Sequence, residues 1–251
     1  MARRKRADEV YEELNLTVKE LETAKANSMC NQIKVNVKPK NDNQKLYWKH
    51  LRDTCKEIVI CSGAPGCGKS YLSVAYALKA LKDNEYEQVK ILIPTVEASS
   101  ALKIGYLPGS KEDKMEPFKE SAKYIIEKIL RQGEVESPQK VAKYLIDSGK
   151  ISFEIMSYLR GRNFDNTLLL LEESENLSQE EMLLAITRCG EGSKIVISGD
   201  SRQSDRKYGG GTSGLEHAIS VLRRLDEVGI VEFHDDDVVR NDIITKILEV
   251  W

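Results

Sequence analysis

Several absences narrow the possibilities for this chain. No run of about 18 apolar residues occurs, so no segment has the length and hydropathy of a membrane span. The basic start Met1-Ala2-Arg3-Arg4-Lys5-Arg6 is not followed by the apolar stretch of a secretory signal. Together these lead us to expect a cytoplasmic chain with no membrane partner. Charge of one sign is not in excess either: 38 lysines and arginines stand against 40 acidic residues, a net charge of −2. That balance excludes a protein that coats nucleic acid by bulk charge and leaves local basic patches open. The five cysteines, Cys30, Cys55, Cys61, Cys67 and Cys189, form no C-x-x-C pair and have no histidines at zinc-site spacing. They read as reduced, structural thiols. Internal repeats and low-complexity tracts are also missing.

What is present is a soluble, globular composition, 41% hydrophobic and 31% charged over 251 residues. Residues 8–29 carry an imperfect helical stripe of Val10, Leu14, Leu16, Val18 and Leu21, fitting either a docking helix or a frayed tail. The polar, proline-marked stretch 39–43 sets a boundary, giving an N-terminal helical appendage over 1–40 and a single domain over 41–251. Within that domain short apolar runs at 58–62, 89–94, 167–171, 194–198 and 230–233 read as strands. Helical patterns fall at 70–82, 116–131, 138–148, 179–187 and 214–226. Continuous apolar strands alternating with helices predict an α/β fold, a mostly parallel sheet with helices on both faces.

The segment Gly63-Ala64-Pro65-Gly66-Cys67-Gly68-Lys69-Ser70 fits G-x-x-x-x-G-K-[ST] at every fixed position, after a predicted strand and before a predicted helix. The glycines let the backbone wrap a phosphate with its N–H groups pointing inward, and the helix offers its positive end. Lys69 is expected to bridge the β- and γ-phosphates, and the Ser70 hydroxyl to ligate Mg2+. The nucleotide expected is ATP. Cys67 fills a variable position of the loop; oxidation there is a conceivable switch, though an unremarkable filler is the plainer reading.

Two further strands end in polar groups. Residues 167–171 run into Glu172-Glu173, where one carboxylate would hold Mg2+ and the next polarise the attacking water. The same pair could instead be solvated acids favouring a helix start. Residues 194–198 deliver Gly199-Asp200-Ser201-Arg202-Gln203 to the end of the sheet where such folds bind ligands. Asp200 and Gln203 could sense the γ-phosphate or orient water, or belong to a plain loop.

Over residues 43–251 the chain resembles the PhoH-like ATPases, a phosphate-starvation-associated group related to superfamily 1 helicase cores. The resemblance rests on Asn43-Gln44-Lys45, the phosphate loop, Gly105-Tyr106-Leu107-Pro108-Gly109, Arg160-Gly161-Arg162, Glu173 with Asn176, and Gly199-Asp200 with Gln203. Ser213-Gly214-Leu215-Glu216-His217-Ala218 and Asp237-Val238-Val239-Arg240 complete it. It implies a single RecA-like domain. It further implies that Gln44 reads the adenine edge, so ATP is favoured over GTP, with Glu173 as catalytic base and Gln203 as γ-phosphate sensor. Arg240, and after it Arg160 or Arg162, is implied as an arginine finger. Two departures stand out: Glu172 where the family usually has aspartate, and Ile93 where an arginine usually precedes the proline. With one core rather than two, the finger is expected from a neighbouring subunit, hence a ring-shaped homo-oligomer, a hexamer by resemblance. The expected work is moving or remodelling single-stranded RNA or DNA. A nucleotide-gated assembly protein with slow hydrolysis is the alternative, and a small-molecule kinase ranks last.

Overall fold

The computed structural model describes residues 28–94, 111–200, 202 and 212–239, the first four of the second range by backbone alone. Among the described residues twelve helices and strands follow one another: α1 (Asp42–Arg52), β1 (Ile58–Ser62), α2 (Lys69–Lys82), β2 (Gln88–Ile93), α3 (Lys111–Gln132), α4 (Pro138–Asp147), β3 (Ile151–Ile155), β4 (Thr167–Leu171), α5 (Gln179–Ile186), β5 (Lys194–Gly199), α6 (Gly214–Leu222) and β6 (Val228–Glu232). The strands make one sheet in the order β3-β2-β4-β5-β1-β6, every pair parallel. The α/β reading therefore holds.

Strand periodicity sorts the apolar residues between two faces. Val59, Cys61, Val89, Leu168, Leu170 and Val196 pack with residues of α1 to α4, among them Tyr47, Leu78, Ile126 and Leu145. Their alternates Ile60, Leu92, Leu169, Leu171, Ile195 and Ile197 pack with Met182, Ala185, Leu215 and Ala218 of α5 and α6. With both faces covered, β4 and β5 are buried along their whole length, which is why they read as unbroken apolar runs.

Two elements escaped the sequence pattern. Helix α1 starts where composition marked a polar boundary, capped by the Asn41 side chain, which accepts from Gln44 N. Its lysines, histidine and arginine mask a narrow buried face of Gln44, Tyr47 and Leu51. Strand β3 carries buried Glu154 among its apolar residues, an ion-pair partner of Arg162 and Lys90. The described part of the first forty residues lies on the α1–α4 face: Cys30 and Ile33 are in its core, with Met29, Val35 and Val37 against it. A Cβ on Gly133 would collide with the Lys34 carbonyl oxygen, so this strap and the end of α3 approach as closely as backbone allows. The predicted helical stripe over 8–29 falls almost wholly outside the described residues. None of the described helices is long and apolar enough to cross a membrane.

Lys194 opens β5 almost completely buried, on the strand parity that faces α1. Its ammonium donates to Leu51 O at 2.7 Å and Asp53 O at 2.9 Å, closing the C-terminus of α1. Burial pushes its pKa from the ordinary 10.5 down to about 8, opposed by Glu85 and Asp53. Between those values the unfolded chain binds more proton than the folded one, so this residue's contribution to stability rises with pH across that window. In denaturant unfolding, the parent should gain stability relative to Lys194→Met as pH rises from 8 towards 10.5. A difference that stays flat over the range would contradict a Lys194 whose pKa is lowered by burial.

Candidate nucleotide site

The loop between β1 and α2 has the backbone that a phosphate cradle requires. Gly63, Gly66 and Gly68 have φ of 146°, 98° and 88°, open to glycine and strained for other residues. Space also selects glycine at Gly63, where a Cβ would meet Phe233 Cβ at 2.5 Å. At Gly68, a Cβ would come within 3.0 Å of Gln44 Nε2. Lys69 begins α2 and folds back over the loop, its ammonium donating to Gly63 O at 2.5 Å and Ala64 O at 3.0 Å.

Beside it the hydroxyls converge on one carboxylate. Glu172 accepts from Ser70 Oγ at 2.5 Å, Ser73 Oγ at 2.9 Å and Ser198 Oγ at 2.8 Å. The sheet order explains the meeting. Strand β5 lies between β1 and β4, so the end of β4 reaches across Ser198 to the first turn of α2. Ser73 is one helical turn from Ser70, and Ser198 has the strand parity that faces α2. Neither was singled out from sequence, although a serine among the apolar residues of β5, at the parity of Val196, was the available signal.

Glu173 follows with φ 56° and ψ 43°, a left-handed conformation sparsely populated by non-glycine residues and recurrent at functional sites. It is exposed and lines the same cavity as the phosphate loop. Glu175, also missed from sequence, is buried; Asp200 N donates to its Oε2 at 3.2 Å. Burial pushes its pKa up, backbone donors pull it back, and the negative Glu173 raises it further. Asp200 is buried too, its Oδ1 accepting from Arg202 N at 3.1 Å, while Arg202 pairs at 2.8 Å with Asp235.

Most of these groups open on one cavity of about 690 Å³. Pro65, Gly66, Gly68, Lys69, Ser70, Gln44, Glu172, Glu173 and Asp200 line it together, so the structure unites most of the residues singled out from sequence. Glu175 and Ser198 line it beside the other acidic residues, and Asn36, Lys38, Lys40, Tyr71, Lys128 and Gln132 also contribute. Gln203 and Arg240 lie outside the described residues, as does the 105–109 motif. Arg162 is committed elsewhere: its guanidinium meets Glu154 at 2.7 Å and stacks 5.0 Å from the Phe164 ring centroid, beside edge strand β3. Gln44 is nearly buried. Its Oε1 accepts from Lys40 N at 2.8 Å and its Nε2 donates to Cys67 O at 2.9 Å.

The donor set fits a hard divalent cation. Serine hydroxyl and carboxylate oxygens suit Mg2+, which keeps several waters and takes phosphate oxygens, so few protein ligands are needed. Accordingly, no group of three or more His, Cys, Asp or Glu among the described residues is arranged to hold a metal unaided. The carboxylates would repel a polyphosphate unless such an ion came with it.

A glycine-rich loop leaving one strand, opening a helix and facing a carboxylate-ended strand two places away defines a P-loop nucleotide-binding protein. Comparison with known proteins sharpens this. A family model described as PhoH-like protein matches residues 36–251, and the chain belongs to that family. A PhoH-like protein of Mycobacterium leprae is 33% identical over 215 residues, covering 86% of this chain and 58% of its own length. One from Bacillus subtilis is 32% identical over 195 residues, covering 78% and 58% respectively. The chain thus spans less than two thirds of the length of these relatives. Among solved structures, the large terminase of a thermophilic bacteriophage superposes with a TM-score of 0.45 at 18% identity, over 82% of this chain and 49% of its own.

The thiols yield a direct check. Cys67 is buried in the core, and burial raises its pKa despite nearby Lys69; Cys61, also buried, is pushed up to about 12. Both are protected from reaction, which removes the case for a redox switch in the loop. Brief alkylation of native protein followed by peptide mass spectrometry should label exposed Cys55 and spare Cys30, Cys61 and Cys67. Rapid labelling of Cys67 would contradict the buried placement.

Proposed function

We propose that this chain binds a Mg2+–nucleoside triphosphate, ATP among them, and hydrolyses it to the diphosphate and inorganic phosphate. The observation that carries the reading is the contact of Ser70 with Glu172, with Glu173 next in the chain at the cavity mouth. On binding, the N–H groups of Gly63 to Ser70 take the phosphates, and Lys69 leaves the Gly63 and Ala64 carbonyls for the β- and γ-oxygens. Ser70 and Glu172 hold the metal, Glu172 directly or through water. Mg2+ when bound neutralises and orients those phosphate oxygens. Glu173 accepts the proton of the attacking water as its oxygen bonds to the γ-phosphorus and the bond to the bridging oxygen breaks. Asp200 and Gln203 answer to the γ-phosphate, and Arg240 reaches the site of a neighbouring subunit in a ring-shaped homo-oligomer, a hexamer by resemblance.

The domain is residues 41–251, with residues 1–40 an N-terminal segment whose Cys30 and Ile33 pack into its core, in a cytoplasmic protein. Hydrolysis drives binding or remodelling of single-stranded RNA or DNA. A second reading, a nucleotide-gated assembly protein with slow turnover, is favoured by Glu172, whose carboxylate is already engaged by hydroxyls that a metal must displace or share.

Turnover of ATP with and without single-stranded RNA and DNA separates the two readings. Stimulation by RNA supports remodelling; slow, unstimulated turnover with nucleotide-dependent assembly supports the second. Lys69→Ala should abolish triphosphate binding. Glu173→Gln should retain it while kcat falls by about 100-fold or more. A Glu173→Gln enzyme as fast as its parent would rule out the base assignment, and a fully active monomer the ring.

A further inference from the structure

The carboxamide best placed to read a base is already spent on the protein. Gln44 is 5% exposed, and each half of its amide has a backbone partner: Lys40 N–H on the oxygen, the Cys67 carbonyl on the nitrogen. A Cβ on Gly68 would touch that nitrogen, so amide and loop are packed together. The partners belong to two different segments of the chain. Lys40 ends the strap whose earlier residues, Cys30 and Ile33, are sunk in the core, and Cys67 is the middle of the phosphate loop. The helix start that carries Gln44 is itself fixed, since Gln44 N donates to Asn41 Oδ1 at 2.7 Å and Asn43 Nδ2 to Asp237 Oδ2 at 2.7 Å. The amide is a strut in a rigid frame.

Besides the amides of Asn36 and Gln132, the rest of the lining offers few groups that discriminate between bases. Lys38, Lys40 and Lys128 are long, flexible donors that any base or ribose oxygen can satisfy, and the Tyr71 hydroxyl is turned onto Gln132. Reading a base requires a fixed donor–acceptor pair that a wrong base would leave unpaired. The groups of this cavity held by hydrogen bonds, Lys69, Ser70 and Glu172, belong to the phosphate loop, the helix it opens and the strand end beside it.

We propose that Gln44 is a positioning residue bracing the phosphate loop against the N-terminal strap, and that the site selects the Mg2+–triphosphate moiety with little regard to the base. The substrate class is then the common nucleoside triphosphates. This rests on the triphosphatase reading above and replaces the adenine preference expected from the family resemblance.

Calorimetric titration of the full chain with ATP, GTP, CTP and UTP in Mg2+, with inorganic tripolyphosphate as competitor, tests it. The four dissociation constants should fall within about fivefold of one another, and tripolyphosphate should displace each nucleotide. Gln44→Ala should weaken all four by a common factor and lower kcat while leaving the ATP-to-GTP ratio unchanged. A base reader would instead lose ATP alone. Preference for ATP above about fivefold in the parent overturns the proposal and leaves the triphosphatase reading intact. Binding of no triphosphate at all overturns both. Should Gln44→Ala not fold, the parent's four constants still decide.

Discussion

Three strands of this sheet are tied together by a single carboxylate. Glu172, at the end of β4, takes hydroxyls from Ser70 and Ser73 on the helix that follows β1 and from Ser198 at the end of β5. Parallel pairing in the order β4-β5-β1 makes this possible, because it brings the three C-terminal ends side by side. Buried hydroxyls need acceptors and a half-buried carboxylate needs donors, so the cluster satisfies both at once. It also sets the distance from the phosphate loop to the acidic residues. The glutamate side chain reaches Ser70 directly.

Charge gives the site its second constraint. Glu172, Glu173, Glu175 and Asp200 share one cavity with Lys69, and such a wall repels bare phosphate. A polyphosphate becomes welcome when it arrives with a divalent cation, and oxygen donors of this kind suit Mg2+. Lys69, resting on two loop carbonyls, has somewhere favourable to wait and something better to move to. Lysines and amides make up much of the remaining lining. The view of Gln44 as a strut comes from its amide, held between Lys40 N and Cys67 O.

What could be read from the sequence divides along physical lines. The phosphate loop was legible because its conformation needs glycine at Gly63 and Gly68 and its chemistry needs Lys69 and Ser70. Strands β4 and β5 were legible because burial on both faces leaves continuous apolar runs. Helix α1 was hidden because only a thin stripe of it is buried, and β3 because Glu154 breaks its pattern while pairing inside the fold. Ser198, at the parity of Val196, hinted at the serine cluster, but only sheet order brings it to Glu172. Gln44, expected from the resemblance to read the adenine edge, does line the cavity, but which atoms its amide faces depends on Lys40 and Cys67, which no local pattern connects.

The most direct test is a structure with Mg2+ and a non-hydrolysable triphosphate. Phosphates should lie against the backbone of Gly63 to Ser70, with Lys69 Nζ moved from the Gly63 and Ala64 carbonyls onto them. The cation should stand about 2.1 Å from Ser70 Oγ, with Glu172 on the cation or on one of its waters. Phosphates bound away from the loop, or Lys69 still resting on its carbonyls with the ligand in place, would contradict this account of the site.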